Sequence, residues 1–207
     1  MISEVEAKFS VPDSETFRRL KSLETLAGFE LSKGRLVAVH DSFLDTAGRK
    51  LSSAGYVLRI RESGGKAFAT LKGKGKIKGA IHEREELECE IPGVRTPLAE
   101  WPKSKVREKL LSLTGNSPLL PLFEQMQSRF VRAIEKEGRE IAELSLDEVS
   151  VAGKTGALNY SEIEAELKPE GTRADLKRIA EALISEHRLS PEPCSKFARG
   201  QEFASRE

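Results

Sequence analysis

The chain has 207 residues, 38% of them hydrophobic and 32% charged, with 34 lysines and arginines set against 33 acids for a net charge of +1. That balance argues against a dedicated nucleic-acid binder, whose affinity would rest on a basic excess, and no apolar run is long enough to cross a bilayer. Two cysteines, Cys89 and Cys194, make neither a disulfide framework nor a zinc site and are expected as free, buried thiols.

Met1 is followed by charged residues rather than by a signal-peptide core, so the expected compartment is the cytoplasm. In the opening stretch SEVEAKF, alternation puts Glu4, Glu6 and Lys8 on one side of a strand and Val5, Ala7 and Phe9 on the other. Asp13 or Ser14 can cap a helix carrying Phe17, Leu20, Leu23 and Leu26, with Gly28 as its stop. Strands follow in RLVAVHDSFLD, GYVLRIRE, KAFATLK (after a Gly64-Gly65 turn) and IHEREELECEI, the last lying beyond a glycine- and lysine-rich loop, KGKGKIKG. From Pro92 to about Gln127 a proline-rich connector surrounds one helix, SKVREKLLSL, ending at Gly115. A hairpin turning near Gly138 and a strand in YSEIEAELK bring the total to eight strands. A last helix begins at Thr172, with Asp175 as its capping-box partner.

Sorting each strand by alternation returns the same division. Arg59 and Arg61 oppose Leu58 and Ile60, and Arg84, Glu86, Glu88 and Glu90 oppose Leu87, Cys89 and Ile91. Glu143, Ser145 and Asp147 oppose Leu144 and Leu146, and Glu162, Glu164 and Glu166 oppose Ile163, Ala165 and Leu167. Alternation alone fits an open antiparallel sheet with one solvated side equally well. Two details favour enclosure. The acids come as same-face triplets, which repel unless a counterion is present, and three amphipathic helices are available to cover the apolar face. Eight strands closed into a barrel with helices outside would turn the ionic face into the lining of a tunnel, where acids must be matched by bases or metals.

Together these segments resemble the CYTH superfamily, the triphosphate tunnel metalloenzymes. EVEAK matches the E-x-E-x-K signature; SFLDT, LRIR, TLKG, REELE, SRF, LSLDEV, EIEAELK and SKFARG follow in the family's order along nearly the whole chain. The resemblance implies an α+β fold, an eight-stranded antiparallel β-barrel with an ionic interior covered by several α-helices, as a single domain over residues 1–207. It implies a metal site of Glu4, Glu6, Asp147, Glu162 and Glu164, with Glu86, Glu88 and Glu166 as weaker candidates. It places phosphate-binding bases at Lys8, Arg59, Arg61, Lys72, Arg84, Arg129 and Lys196, and catalytic roles at Lys8, Glu162 and Glu164. Leu44 departs from the family's aromatic and Phe43 lacks a tyrosine hydroxyl, so no hydroxyl role is carried over there.

Arginine forks and lysine ammonium groups suit phosphate oxygens, and carboxylates suit Mg²⁺ or Mn²⁺, hard ions that also prefer oxygen. The implied activity is therefore metal-dependent hydrolysis of a small-molecule triphosphate, one or two divalent ions assisting in-line attack of water on the terminal phosphorus. Inorganic tripolyphosphate is the expected substrate, by analogy with bacterial inorganic triphosphatases. The alternatives are a class IV-type adenylyl cyclase, a thiamine triphosphatase or a non-catalytic polyphosphate or nucleotide sensor. No nucleic acid or membrane partner is expected, and a homodimer is compatible with the sequence. AGKT, at 152–155, reads as a turn rather than a P-loop because Glu148 stands where the first glycine belongs. Trp101 reads as packing, and His40, His82 and His187 lack metal-ligand spacing.

Overall fold

The computed structural model describes residues 2–115, 117–154 and 156–206, and for Ile2 and Ser3 the backbone alone. Strand β1 (Ile2–Val11) is followed by helix α1 (Ser14–Lys21), the short strands β2 (Thr25–Leu26) and β3 (Phe29–Leu31), and β4 (Arg35–Asp45). Next come α2 (Lys50–Ser53), β5 (Val57–Ser63), β6 (Lys66–Lys78), β7 (Ile81–Ile91) and α3 (Lys105–Thr114). The second half carries β8 (Leu120–Lys136), β9 (Arg139–Ala152), β10 (Ala157–Leu167), α4 (Arg173–Ser185), β11 (Ser190–Pro191) and α5 (Lys196–Ser205).

Strands β8, β4, β5, β6, β7, β1, β10 and β9 pair antiparallel in that order, and β9 pairs back onto β8. The ring closes as an eight-stranded barrel, leaving no free edge within it. Two hairpins follow directly from sequence. Gly64-Gly65 (φ 58° and 78°) joins Ser63 to Lys66, and Glu137-Gly138 (φ 53° and 74°) joins Lys136 to Arg139. Positive φ at both central residues gives the turn whose twist matches the strands. The apolar outer face is covered as expected. Helices α1 and α4 bury Phe17, Leu20, Leu176, Ile179 and Leu183 over β1, β9 and β10, and α3 buries Val106 and Leu110 beside Trp101 over β5, β6 and β7. Thr172 and Asp175 form the capping box of α4, and Ser104 caps α3. No helix among the described residues is long and apolar enough to cross a membrane.

Five local expectations need correction. Helix α1 stops at Lys21, where the Ser22 N–H bonds back to Arg18 and Arg19; Leu26 reaches the same core from β2 instead, so its apolar spacing outlives the helix. The run KGKGKIKG continues β6 as far as Lys78, with a bulge between Lys72 and Gly75 where a Cβ at Gly75 would sit 2.9 Å from the Glu83 carbonyl. Strand β8 begins at Leu120, inside the proline-rich connector, and a register shift at Phe43/Leu44 accommodates Pro121. Helices α2 and α5 add to the three expected. Cys194 is exposed and Cys89 half-buried, both unoxidised.

Candidate functional site

Because successive side chains alternate across a strand, each of the eight barrel strands contributes charged side chains to one inward face. They line a cavity of about 300 Å³ with as many acids as bases. Along β9 the inward residues run from Glu143 through Ser145 and Asp147 to Val151, and this order defines the two ends. At the Val151 end, α5 packs across the barrel. Phe197 lies 5.5 Å from Phe43 and 6.0 Å from Phe123, and Phe43 stacks on Phe123 at 4.7 Å. Glu88, Glu143, Glu166 and Lys168 line the cavity toward the other end.

Three ionic clusters make up the wall. In the first, Asp147 on β9 and Glu162 and Glu164 on β10 offer ligand atoms within 4.8 Å of one another. Lys196, the first residue of α5, reaches in among them. Its Nζ stands 3.0 Å from Asp147 Oδ2 and 2.9 Å from Glu164 Oε1 and also pairs with Glu162. Lys8 bonds Glu162 at 3.0 Å and Glu164 at 3.1 Å, and Arg129 grips Asp147 with Nε at 2.8 Å and Nη2 at 2.6 Å. Burial pushes all three carboxyls up. Lys196, Lys8 and Arg129 outweigh it for Glu164, and Arg129 and Lys196 for Asp147, so both are held down while Glu162 stays raised. The acids in turn hold the Lys196 ammonium up despite its burial.

In the second cluster Glu4 accepts from Lys72 at 2.9 Å and from Arg84 Nε at 2.7 Å, Arg84 Nη2 reaches Glu6 at 3.3 Å, and Lys72 also pairs with Glu86 at 2.8 Å. Burial would raise Glu4, but Lys72 and Arg84 hold it well below the usual carboxylate range. Glu6 is pushed up to about 7 by burial and by the like charges of Glu164 and Glu4. The third cluster is built on Asp41, which takes two hydrogen bonds from Arg61 and one from Gln127. Beside it, Arg59 donates to Thr70 at 3.1 Å and Thr70 donates to Glu88 at 2.9 Å.

All the basic residues singled out from the sequence, Lys8, Arg59, Arg61, Lys72, Arg84, Arg129 and Lys196, line this one cavity. Of the five acids first in line for a metal, Asp147, Glu162 and Glu164 form one group, whereas Glu4 and Glu6 stand in the adjoining cluster on Arg84 and Lys72. The first group fits a divalent ion on its chemistry. It offers hard oxygen donors around a point already held by an ammonium charge, and the buried Glu162 Oε2 has no hydrogen-bond partner. Among the weaker candidates, Glu86 pairs with Lys72, Glu88 accepts from Thr70, and Glu166 accepts from Lys168 at 2.9 Å. Glu90, last of its triplet, is exposed and pairs with Lys66. Asp45 of the SFLDT segment stays out of the cavity: its carboxylate accepts from the backbone of Thr46, Leu51 and Ser52 and fixes α2.

Asp41, Gln127 and Lys168 are site residues that the sequence reading does not single out. For Asp41 a signal existed, since alternation in RLVAVHDSFLD puts it on one face with Val39 and Phe43, but it stands alone among apolar neighbours on that face. The discounted features have structural partners. His40 sits between Glu62 and Glu124, His82 Nε2 lies 3.0 Å from the Glu192 carbonyl, and the Trp101 indole donates to Thr96. Gly153 and Gly156 close the turn at AGKT; Thr155 lies outside the described residues.

The chain belongs to the CYTH domain family, whose model matches residues 3–200. Its fold is similar to that of a Hippeastrum protein, first assigned as an adenylyl cyclase and described as having a dominant triphosphatase activity. The two are 23% identical over 97% of this chain and 96% of that one, with a TM-score of 0.75. It is also similar to a Bacillus halodurans protein proposed as an adenylate cyclase, 24% identical over 96% of this chain and 98% of the other, TM-score 0.67. The triphosphatase of the Mimivirus capping enzyme matches at 13% identity over 90% and 89%, TM-score 0.56.

Proposed function

We propose that the protein is a metal-dependent triphosphatase that hydrolyses inorganic tripolyphosphate to pyrophosphate and orthophosphate. The observation that carries this reading is the convergence of seven sequence-expected bases on one cavity of about 300 Å³, with Glu164 of the three-carboxylate group in its wall and Asp147 and Glu162 beside it. A polyanion with charge on every phosphorus needs fixed cations on several sides, and Arg59, Arg61, Lys72, Arg84 and Arg129 approach from β5, β6, β7 and β8. A pure anion binder would have no use for three converging acids. Asp147, Glu162 and Glu164 would hold the divalent ion, which when bound neutralises phosphate charge and makes a coordinated water easier to deprotonate.

Of the two glutamates on β10, Glu162 is the better proton acceptor, because burial holds its carboxyl above the ordinary value while Glu164 is held below. Its unpartnered Oε2 can orient the attacking water. The water oxygen bonds the terminal phosphorus, the bridging P–O bond breaks, and Lys8 and Lys196 lie beside these acids to balance the charge that develops. The apolar lining is confined to the α5 end, in Phe43, Val57 and Phe197, which favours a bare phosphate chain over a nucleoside triphosphate. The dominant triphosphatase activity of the Hippeastrum protein points the same way, against a cyclase.

The test is phosphate release from tripolyphosphate, ATP and thiamine triphosphate with Mg²⁺, Mn²⁺ or Ca²⁺. Tripolyphosphate should be cleaved fastest, and a chelator should abolish turnover. Cyclic AMP formed from ATP would transfer the reading to a cyclase, and binding without turnover to a sensor.

A further inference from the structure

Asp41 has no place in the reaction described above, yet it is fully buried in the cavity wall. On β4, between β5 and β8, it stands in register with Arg61. Its Oδ1 accepts from Arg61 Nε at 2.7 Å; its Oδ2 accepts from Arg61 Nη2 at 2.8 Å and from Gln127 Nε2 at 2.5 Å. Arg59 Nε lies 4.0 Å from Oδ1 and has no hydrogen-bond partner, although it is buried.

Arg59 and Arg61 lie two residues apart on the same face of β5, so their guanidinium groups repel; Arg59 is tied to Thr70, whereas the hydrogen bonds that orient Arg61 both go to Asp41. A two-pronged carboxylate bond fixes the plane of a guanidinium, and Asp41 is itself braced by Gln127. Two of the five Arg61 N–H donors are spent on Asp41, leaving the other edge of the fork for a ligand. Asp41 is short and sits mid-strand, so it cannot follow a moving partner. Among the described residues no second carboxylate shares its hydrogen-bond partners, which separates it from the metal-type group of Asp147, Glu162 and Glu164.

Resting on the proposed triphosphatase reading, we propose that Asp41 is a positioning residue: it holds Arg61 in one orientation and provides the counter-charge beside Arg59, so that the remaining N–H donors of both meet the phosphate oxygens in the reacting geometry. Such a residue acts on the rate more than on affinity. Removing a negative charge from a polyanion site does not weaken ground-state binding, whereas displacing a charged donor by about 1 Å costs on the order of a hundredfold in rate.

The experiment compares wild-type protein, Asp41→Asn, Arg61→Ala and the double variant with tripolyphosphate. It measures kcat and KM by phosphate release, binding by calorimetry, and melting temperature. The expected result for Asp41→Asn is a kcat about tenfold or more lower with KM unchanged or reduced. The double variant should lose clearly less than the two single losses multiplied, because Asp41 acts chiefly through Arg61. Unchanged kcat, a raised KM at unchanged kcat, or losses that multiply in the double variant would each overturn the inference. Should Asp41→Asn not fold, Gln127→Met removes one brace and keeps the volume; a kcat about threefold lower is expected, and an unchanged one overturns the inference. If wild-type protein neither cleaves nor binds tripolyphosphate, the triphosphatase reading itself has failed. If wild type is active and Asp41→Asn matches it, this inference alone has failed.

Discussion

Three carboxyls within reach of one ammonium group need not behave alike, and Glu162 differs from Asp147 and Glu164 in having an oxygen with nothing to bond. Replacing Glu162 by Gln keeps the shape and removes the charge, so metal-dependent phosphate release should fall at least about tenfold, as should that of Glu4→Gln and Glu6→Gln. Unchanged turnover in Glu162→Gln would count heavily against its assignment as a ligand, and in Glu4→Gln or Glu6→Gln against a role for the adjoining cluster on Arg84 and Lys72. Asp41 supplies a pH prediction as well. Burial raises its carboxyl, but Arg59 and Arg61 bring it down to about 2, below an unfolded aspartate at about 3.9. The unfolded chain therefore takes up the proton first as the pH falls. The stabilisation is complete above about pH 4 and disappears as the pH falls through 2. Urea unfolding across that range should give Asp41→Asn a shallower acid limb than wild type, and identical slopes would contradict the buried ion pair.

Among the elements, α5 is the least expected from sequence and the most consequential for the site. Glycine at position 200 lowers its helical propensity, and the reason lies elsewhere in the chain. A Cβ there would sit 2.3 Å from the Phe123 ring on β8. Gly200→Val should therefore push α5 off the barrel end, costing about 1–3 kcal/mol, and should withdraw Lys196 from the acids. A fall in melting temperature with loss of turnover is expected; a variant with wild-type stability would mean that α5 is not seated as described. The cap of α2 gives a cleaner local test. Asp45→Ala leaves three backbone N–H groups without their acceptor and should cost about 2 kcal/mol in chemical denaturation, with little effect on KM. Signals confined to neighbouring residues were readable: the Thr172–Asp175 cap, the Gly64-Gly65 turn, the two-residue period of β7. The end of α1 was not, because Leu26 is apolar for the sake of β2, and neither was the strand character of KGKGKIKG, which depends on pairing with β7.

At the scale of the molecule, the barrel was legible because five strands, β1, β5, β7, β9 and β10, repeat one rule, ions on one face and hydrocarbon on the other. Its closure, the pairing of β8 with β9 and β4 at once, depends on partners far apart in the chain. So does the separation of the acids, since Glu4 and Glu162 look alike in their strands and only the register of β1 against β7 and β10 gives them different neighbours. Most of the wall they form is already paired among its own members: Glu4 holds Lys72, Asp147 holds Arg129, and Lys196 occupies the acid group. Entry of any guest is then an exchange, in which a resident ion pair opens for each new one made. A divalent cation that takes over the carboxylates releases lysine and arginine for phosphate, and phosphate that takes the bases releases carboxylates for the cation. Each should tighten the other's binding by the same factor, as thermodynamic reciprocity demands. Titrating tripolyphosphate with and without Mg²⁺, and Mg²⁺ with and without tripolyphosphate, should return equal ratios above one.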